Sequence, residues 1–168
     1  MSPLRLVYYP DEILREKTAP VTEFSAELHQ FLDNMLETMY HENGVGLAAP
    51  QVADNRRITV IDTSPDGNEP REFINPVIVS KSGKKDSEEG CLSIPEYRDT
   101  VSRAETVVVE AYDRNGEKFT LEADELLAVC LQHEIDHLDG ILFVDHLSKI
   151  KRDMFKKKYK KMIEQGLI

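Results

Sequence analysis

Leu126-Leu127-Ala128-Val129-Cys130-Leu131-Gln132-His133-Glu134-Ile135-Asp136-His137-Leu138-Asp139-Gly140 is the stretch on which the fold turns. Six consecutive apolar residues, Leu126 to Leu131, run into a His-Glu-x-x-His pattern, and Asp139-Gly140 supplies a helix stop. The pattern predicts a helix from Asp124 to Leu138. On such a helix His133 and His137 stand about 40° apart around the axis and about 6 Å along it. Both imidazoles then reach one metal ion, and Glu134 lies beside them near a water on that metal. A helix with this apolar content belongs at the centre of the molecule.

Working outward, a second helix is expected from Phe24 to His41, where Phe24, Leu28, Phe31, Leu32, Met35, Leu36 and Met39 recur every three or four residues. A third follows Ser148, carries the basic tail and stops before Gly166. Strands are expected at Arg57–Asp62, Glu72–Val79, Glu105–Tyr112 and Glu117–Leu121, the last two joined by Asp113-Arg114-Asn115-Gly116. Helices and strands do not alternate as βαβ units would require. The expected class is α+β, with largely antiparallel sheets packed around a central metal-binding helix and a C-terminal helix. Residues 1–168 read as one domain, with 149–165 its basic C-terminal helix.

A catalytic metal of this kind takes three protein ligands and leaves one position for water. Cys130 is excluded as the third, since it sits about 10 Å from His137 along the helix axis; it reads as a core thiol. His29 and His41 belong to the first helix, and His146 lies nine residues past His137. Cys91, in Glu89-Gly90-Cys91-Leu92-Ser93, has a thiolate that suits zinc or ferrous iron. Residue type alone leaves its role open.

The 168 residues carry a net charge of −10, which argues against a general nucleic-acid binder and specific DNA binding. The distribution is uneven. Lys149 to Lys161 holds eight basic residues against one acid, Asp153, so this segment carries +7 and the rest −17. No apolar run approaches the roughly 20 residues that a membrane span needs. Met1-Ser2-Pro3-Leu4-Arg5 shows no secretory pattern. Two cysteines make no disulfide framework. A cytoplasmic protein without membrane partners is expected.

Three segments together resemble the signature motifs of the peptide deformylases: Gly44-Val45-Gly46-Leu47-Ala48-Ala49-Pro50-Gln51, Glu89-Gly90-Cys91-Leu92-Ser93 and Gln132-His133-Glu134-Ile135-Asp136-His137. The resemblance covers nearly the whole chain and is closest to the bacterial form. It implies removal of the formyl group from the N-terminal formylmethionine of nascent polypeptides. It implies a metal held by Cys91, His133 and His137, usually Fe²⁺ and replaceable by Zn²⁺ or Ni²⁺. Glu134 would be the general acid/base, and Gln51 with the Leu92 N–H would hold the oxyanion. Val45 and Gly46 would pair with the substrate backbone, and Arg98 would meet the substrate further along. Val45, Leu126, Val129 and Cys130 are candidates for the methionine pocket; Ser87 stands where some relatives have an apolar residue. The basic C-terminal helix would dock the enzyme on the ribosome, and truncation after Ile150 would then spare the chemistry.

Each assignment has a plainer counterpart. Gln51 could cap a loop, Arg98 could form a surface ion pair, Gly44 and Gly46 could serve a turn, and the pocket residues could be core. The main functional rival is an HExxH metalloendopeptidase. Gly140 extends the match to that of the metzincins, but their next ligand would fall at position 143, which is Phe. His146 is out of register, and Glu164 is the only acid past Asp153. A closed structural metal site would need a fourth protein ligand.

Overall fold

The computed structural model describes residues 3–167. Ser25 accepts the Leu28 N–H and starts helix α1, Ala26–His41, whose residues Leu28, Phe31, Leu32, Met35 and Met39 are buried. Seven strands follow: β1 Gly46–Ala48, β2 Ile58–Ile61, β3 Arg71–Ser82, β4 Lys85–Cys91, β5 Ile94–Arg103, β6 Thr106–Tyr112 and β7 Lys118–Asp124. Helix α2 spans Glu125–Leu138 and helix α3 Lys149–Glu164. All strand pairing is antiparallel, in a five-stranded sheet ordered β1-β2-β3-β6-β7 and a separate β4–β5 hairpin. The α+β class and the four expected strands are as the sequence indicated, the latter being β2, β3, β6 and β7.

Alternation along the strands divides the core. Ile58, Val60 and Ile74 join α1 in one buried cluster, whereas Ile61, Phe73, Val107 and Val109 join Ala128, Leu131 and Ile135 of α2 in another. The sheet therefore separates the two helices. Helix α2 is buried almost all round from Ala128 to Leu138, Asp136 excepted, so its polar residues Gln132, His133, Glu134 and His137 are buried along with its apolar ones.

Three features depart from the sequence reading. Strand β1 is three residues long and wholly buried, so it shows no alternation. The β4–β5 hairpin was not expected because its sequence is polar; most of its residues meet solvent. Nor is α3 a detachable tail. Phe155 and Tyr159 are buried, with ring centroids 5.3 Å from Tyr9, and Phe155 lies 4.6 Å from Tyr97. Truncation after Ile150 would empty that aromatic cluster. Among the described residues no helix is long and apolar enough to cross a membrane.

Candidate metal centre

Strand β4 delivers Cys91 to the buried face of α2. The β4–β5 register shifts at this point: Gly90 pairs with Arg98, but Cys91 pairs with Ile94, leaving Pro95, Glu96 and Tyr97 to bulge. Glu96 takes a left-handed φ of 66° there. Such a bulge re-aims the end of a strand. Cys91, His133 and His137 each present one ligand atom, all within 4.8 Å of one another. Cys91 Sγ lies 3.2 Å from His137 Nε2. Ligand atoms about 3.3–3.6 Å apart are what tetrahedral geometry gives from zinc–sulfur and zinc–nitrogen bond lengths. One thiolate and two imidazoles therefore fit a divalent transition metal in both spacing and donor chemistry.

The other candidates go elsewhere. His29 Nε2 is 2.6 Å from the Arg114 carbonyl, His41 is exposed beside Glu42, and His146 bonds Asp136 at 2.8 Å. Cys130 is buried in the α2 core cluster, where burial and the nearby Glu134 and Glu89 charges push its thiol up to about 12. Residue 143 is not a ligand; the Phe143 ring stacks on His133 with centroids 6.0 Å apart.

An outer layer of charge holds His133. Its Nδ1 lies 2.9 Å from Glu89 Oε1. The Arg103 guanidinium grips Glu89 at both oxygens, each at 2.8 Å, and reaches Asp136 at 2.7 Å. Arg103 and Glu89 side chains are 4% and 5% exposed. Burial works against the Glu89 charge, but Arg103 and His133 outweigh it and hold the carboxyl below its usual range. A carboxylate on the far ring nitrogen fixes which nitrogen faces the metal. Burial, the largest cause, pushes the His137 imidazole below its usual range, which favours the neutral form that binds metal.

Sequence reasoning assigned no role to Glu89 or Arg103. For Glu89 a signal existed, since two residues before Cys91 on one strand puts both on one side. For Arg103 there was none.

Glu134 is 5% exposed, and its Oε1 is buried without a hydrogen-bond partner among the described residues. Burial chiefly, with the nearby Glu89 charge, pushes its carboxyl up to about 7 against the opposing influence of His133. Gln51 does cap its loop, Oε1 accepting the Ala48 N–H at 2.9 Å. The same side chain turns its amide toward Ser93 Oγ at 3.1 Å and Cys91 Sγ at 3.5 Å. Leu92 occupies the two-residue turn after Cys91.

These residues surround a cavity of about 450 Å³. Val45, Gly46, Gln51, Cys91, Leu92, Arg98, Leu126, Val129, His133 and Glu134 all line it; His137, 1% exposed, lies beneath. Ser87 and Cys130 line it too. Arg98 forms the expected surface ion pair, with Glu88 at 3.0 Å, and also lines the cavity. Strand β1 is an edge of the five-stranded sheet. The Asp62 N–H bonds the Val45 carbonyl, so by antiparallel alternation the N–H and C=O of Gly46, paired opposite Ile61, point to the open side.

The family model described as polypeptide deformylase matches residues 3–153. The chain is 50% identical over 165 residues to "Peptide deformylase 1" of Shewanella oneidensis, covering 98% of each chain. It is 52% identical over 161 residues to the peptide deformylase of Neisseria meningitidis, covering 96% of each. Among solved structures it is similar to a peptide deformylase from Legionella pneumophila, with TM-score 0.92, 47% identity and 98% of each chain covered. It is also similar to one from Synechococcus elongatus solved with actinonin, with TM-score 0.88, 43% identity, and 93% of this chain and 87% of that one covered.

Proposed function

The chain belongs to the polypeptide deformylase family, enzymes that remove formyl groups, and we propose that it deformylates the N-terminal formylmethionine of nascent polypeptides with the residues of this cavity. One observation carries the assignment of residues. A thiol and two imidazoles from segments about 40 residues apart meet within 4.8 Å in a cavity that Glu134 also lines.

Cys91, His133 and His137 hold the metal. The donor set suits ferrous iron and zinc; Fe²⁺ is the proposed native ion, with Zn²⁺ or Ni²⁺ able to replace it. When bound, the ion supplies Lewis acidity and lowers the pKa of a water from 15.7 toward roughly 7. Glu134 takes the proton of the attacking water and returns it to the departing amine, as its place beside the metal ligands in the cavity lining allows. Gln51 Nε2 and the Leu92 N–H donate to the oxygen on which negative charge develops, each worth about 10²–10³ in rate. The open edge at Gly46 takes the substrate backbone as an added strand beside Val45. Val45, Leu126 and Val129 receive the methionine side chain, and Arg98 meets the peptide further along.

Residues 1–168 act as one domain in the bacterial-type cytoplasm. The basic face of α3 serves the ribosome as its partner. Formate release from a formyl-methionyl tripeptide is the test. An intact, still formylated peptide would overturn the reading, and internal cleavage of a longer peptide would favour the endopeptidase instead.

A further inference from the structure

Nothing in the backbone requires glycine at position 46. Gly67, Gly83, Gly116, Gly140 and Gly166 have positive φ, but Gly46 lies in β1 outside that region, in a conformation open to any residue. What excludes a side chain there is Glu134. A Cβ on Gly46 would stand 2.6 Å from Glu134 Oε2, 3.1 Å from Cδ and 3.2 Å from Cγ. Conversely, with Oε1 buried and without a partner among the described residues, hydrogen bonding does little to place this carboxylate. Packing against the bare glycine has a large share in where it sits. Gly44 repeats the arrangement two residues earlier, since a Cβ there would stand 2.7 Å from Leu92 Cδ1. The Gly44-Val45-Gly46 strip thus receives one side chain from each of the two segments that carry the metal ligands.

We propose that Gly46 is a positioning residue, whose bare Cα seats the Glu134 carboxylate against the β1 edge where the formyl amide docks. This role is separate from the hydrogen bonds of the Gly46 backbone, and it rests on the reading of Glu134 as acid/base. Ordinary contact begins at 3.4 Å, so Gly46→Ala makes the carboxylate withdraw by about 1 Å. A misplacement of that size costs about 10²-fold in rate.

The test compares wild type, Gly46→Ala, Glu134→Ala and the double variant for metal content and for steady-state kinetics on a formyl-methionyl peptide. Gly46→Ala should retain its metal and its KM while kcat falls about 10²-fold. In the Glu134→Ala background the same substitution should change kcat by less than about threefold, because the group it displaces has gone. A crystal structure of Gly46→Ala should show the carboxylate moved off β1. An unmoved carboxylate, equal losses in both backgrounds, or a raised KM with unchanged kcat would each overturn the proposal. If Gly46→Ala fails to fold or load metal, the double variant decides: recovery supports the seat, and renewed failure overturns it. A wild type that releases no formate refutes the deformylase reading instead.

Discussion

At the residue scale, the roles proposed for Glu134 and for Cys91, His133 and His137 can be separated by substitution. Glu134 Oε1 has no hydrogen-bond partner among the described residues, so Glu134→Gln keeps the shape and leaves Cys91, His133 and His137 alone. Metal content and peptide affinity should stay near wild type while turnover falls about 10²-fold or more. Metal analysis beside steady-state kinetics checks this, and loss of metal would count against the assignment. The two cysteines should separate as cleanly. Cys91→Ala removes a ligand atom and should lose metal and turnover together. Cys130→Ala removes a thiol outside the ligand cluster and should leave the metal in place.

Between elements, buried charge ties β5 to β4 and α2. Arg103 binds Glu89 and Asp136 with 4% of its side chain exposed. Removing it leaves Glu89 with His133 alone and Asp136 with His146 alone. Arg103→Met should destabilise the fold by about 3–5 kcal/mol, read from denaturant unfolding, and weaken metal binding about 10–100-fold.

A second tie joins α1 to the loop after β2, where Tyr40 Oη donates to Asp62 at 2.5 Å. Burial works against the Asp62 charge, but hydrogen bonds from Ser64, Tyr40 and the Glu69 N–H hold its carboxyl below its usual value. A depressed folded pKa contributes stability above the unfolded value of about 3.9, and that stability is lost as pH falls through the folded value. Asp62→Asn should therefore be less stable than wild type at neutral pH, and the gap should close on acidification below about pH 4. Thermal melts across that range measure it, and a constant gap would contradict the assignment.

At the scale of the whole molecule, charge and packing pull α3 in different directions. Its aromatic side anchors it through Phe155 and Tyr159, while Lys156, Lys157, Lys160 and Lys161 are exposed. Truncation thus confuses loss of core with loss of charge, and charge reversal at these four lysines does not. That variant should turn over a short formyl peptide normally but co-sediment less with ribosomes, and raised salt should mimic it on wild type. Unchanged co-sedimentation would remove the helix from the docking surface.

Much of this was legible in the chain itself. Helix α2 was readable because its periodicity, its stop and the spacing of His133 and His137 are local properties of consecutive residues. The four strands of the main sheet were readable for the same reason. The third member of the proposed metal site was a different matter. Cys91 reaches His137 across 46 residues, and only the β4–β5 hairpin with its bulge brings it there. Residue identity named it through a family resemblance; spacing did not. The hairpin stayed hidden because solvent on its outer face lets charged residues stand where a buried strand would show apolar ones. Contacts between distant segments alone decided the Arg103 clamp on Glu89, the open edge at Gly46, and the close seating of Glu134 on a glycine 88 residues away. Local propensity carries no record of which surfaces will meet, so these belong to the tertiary structure.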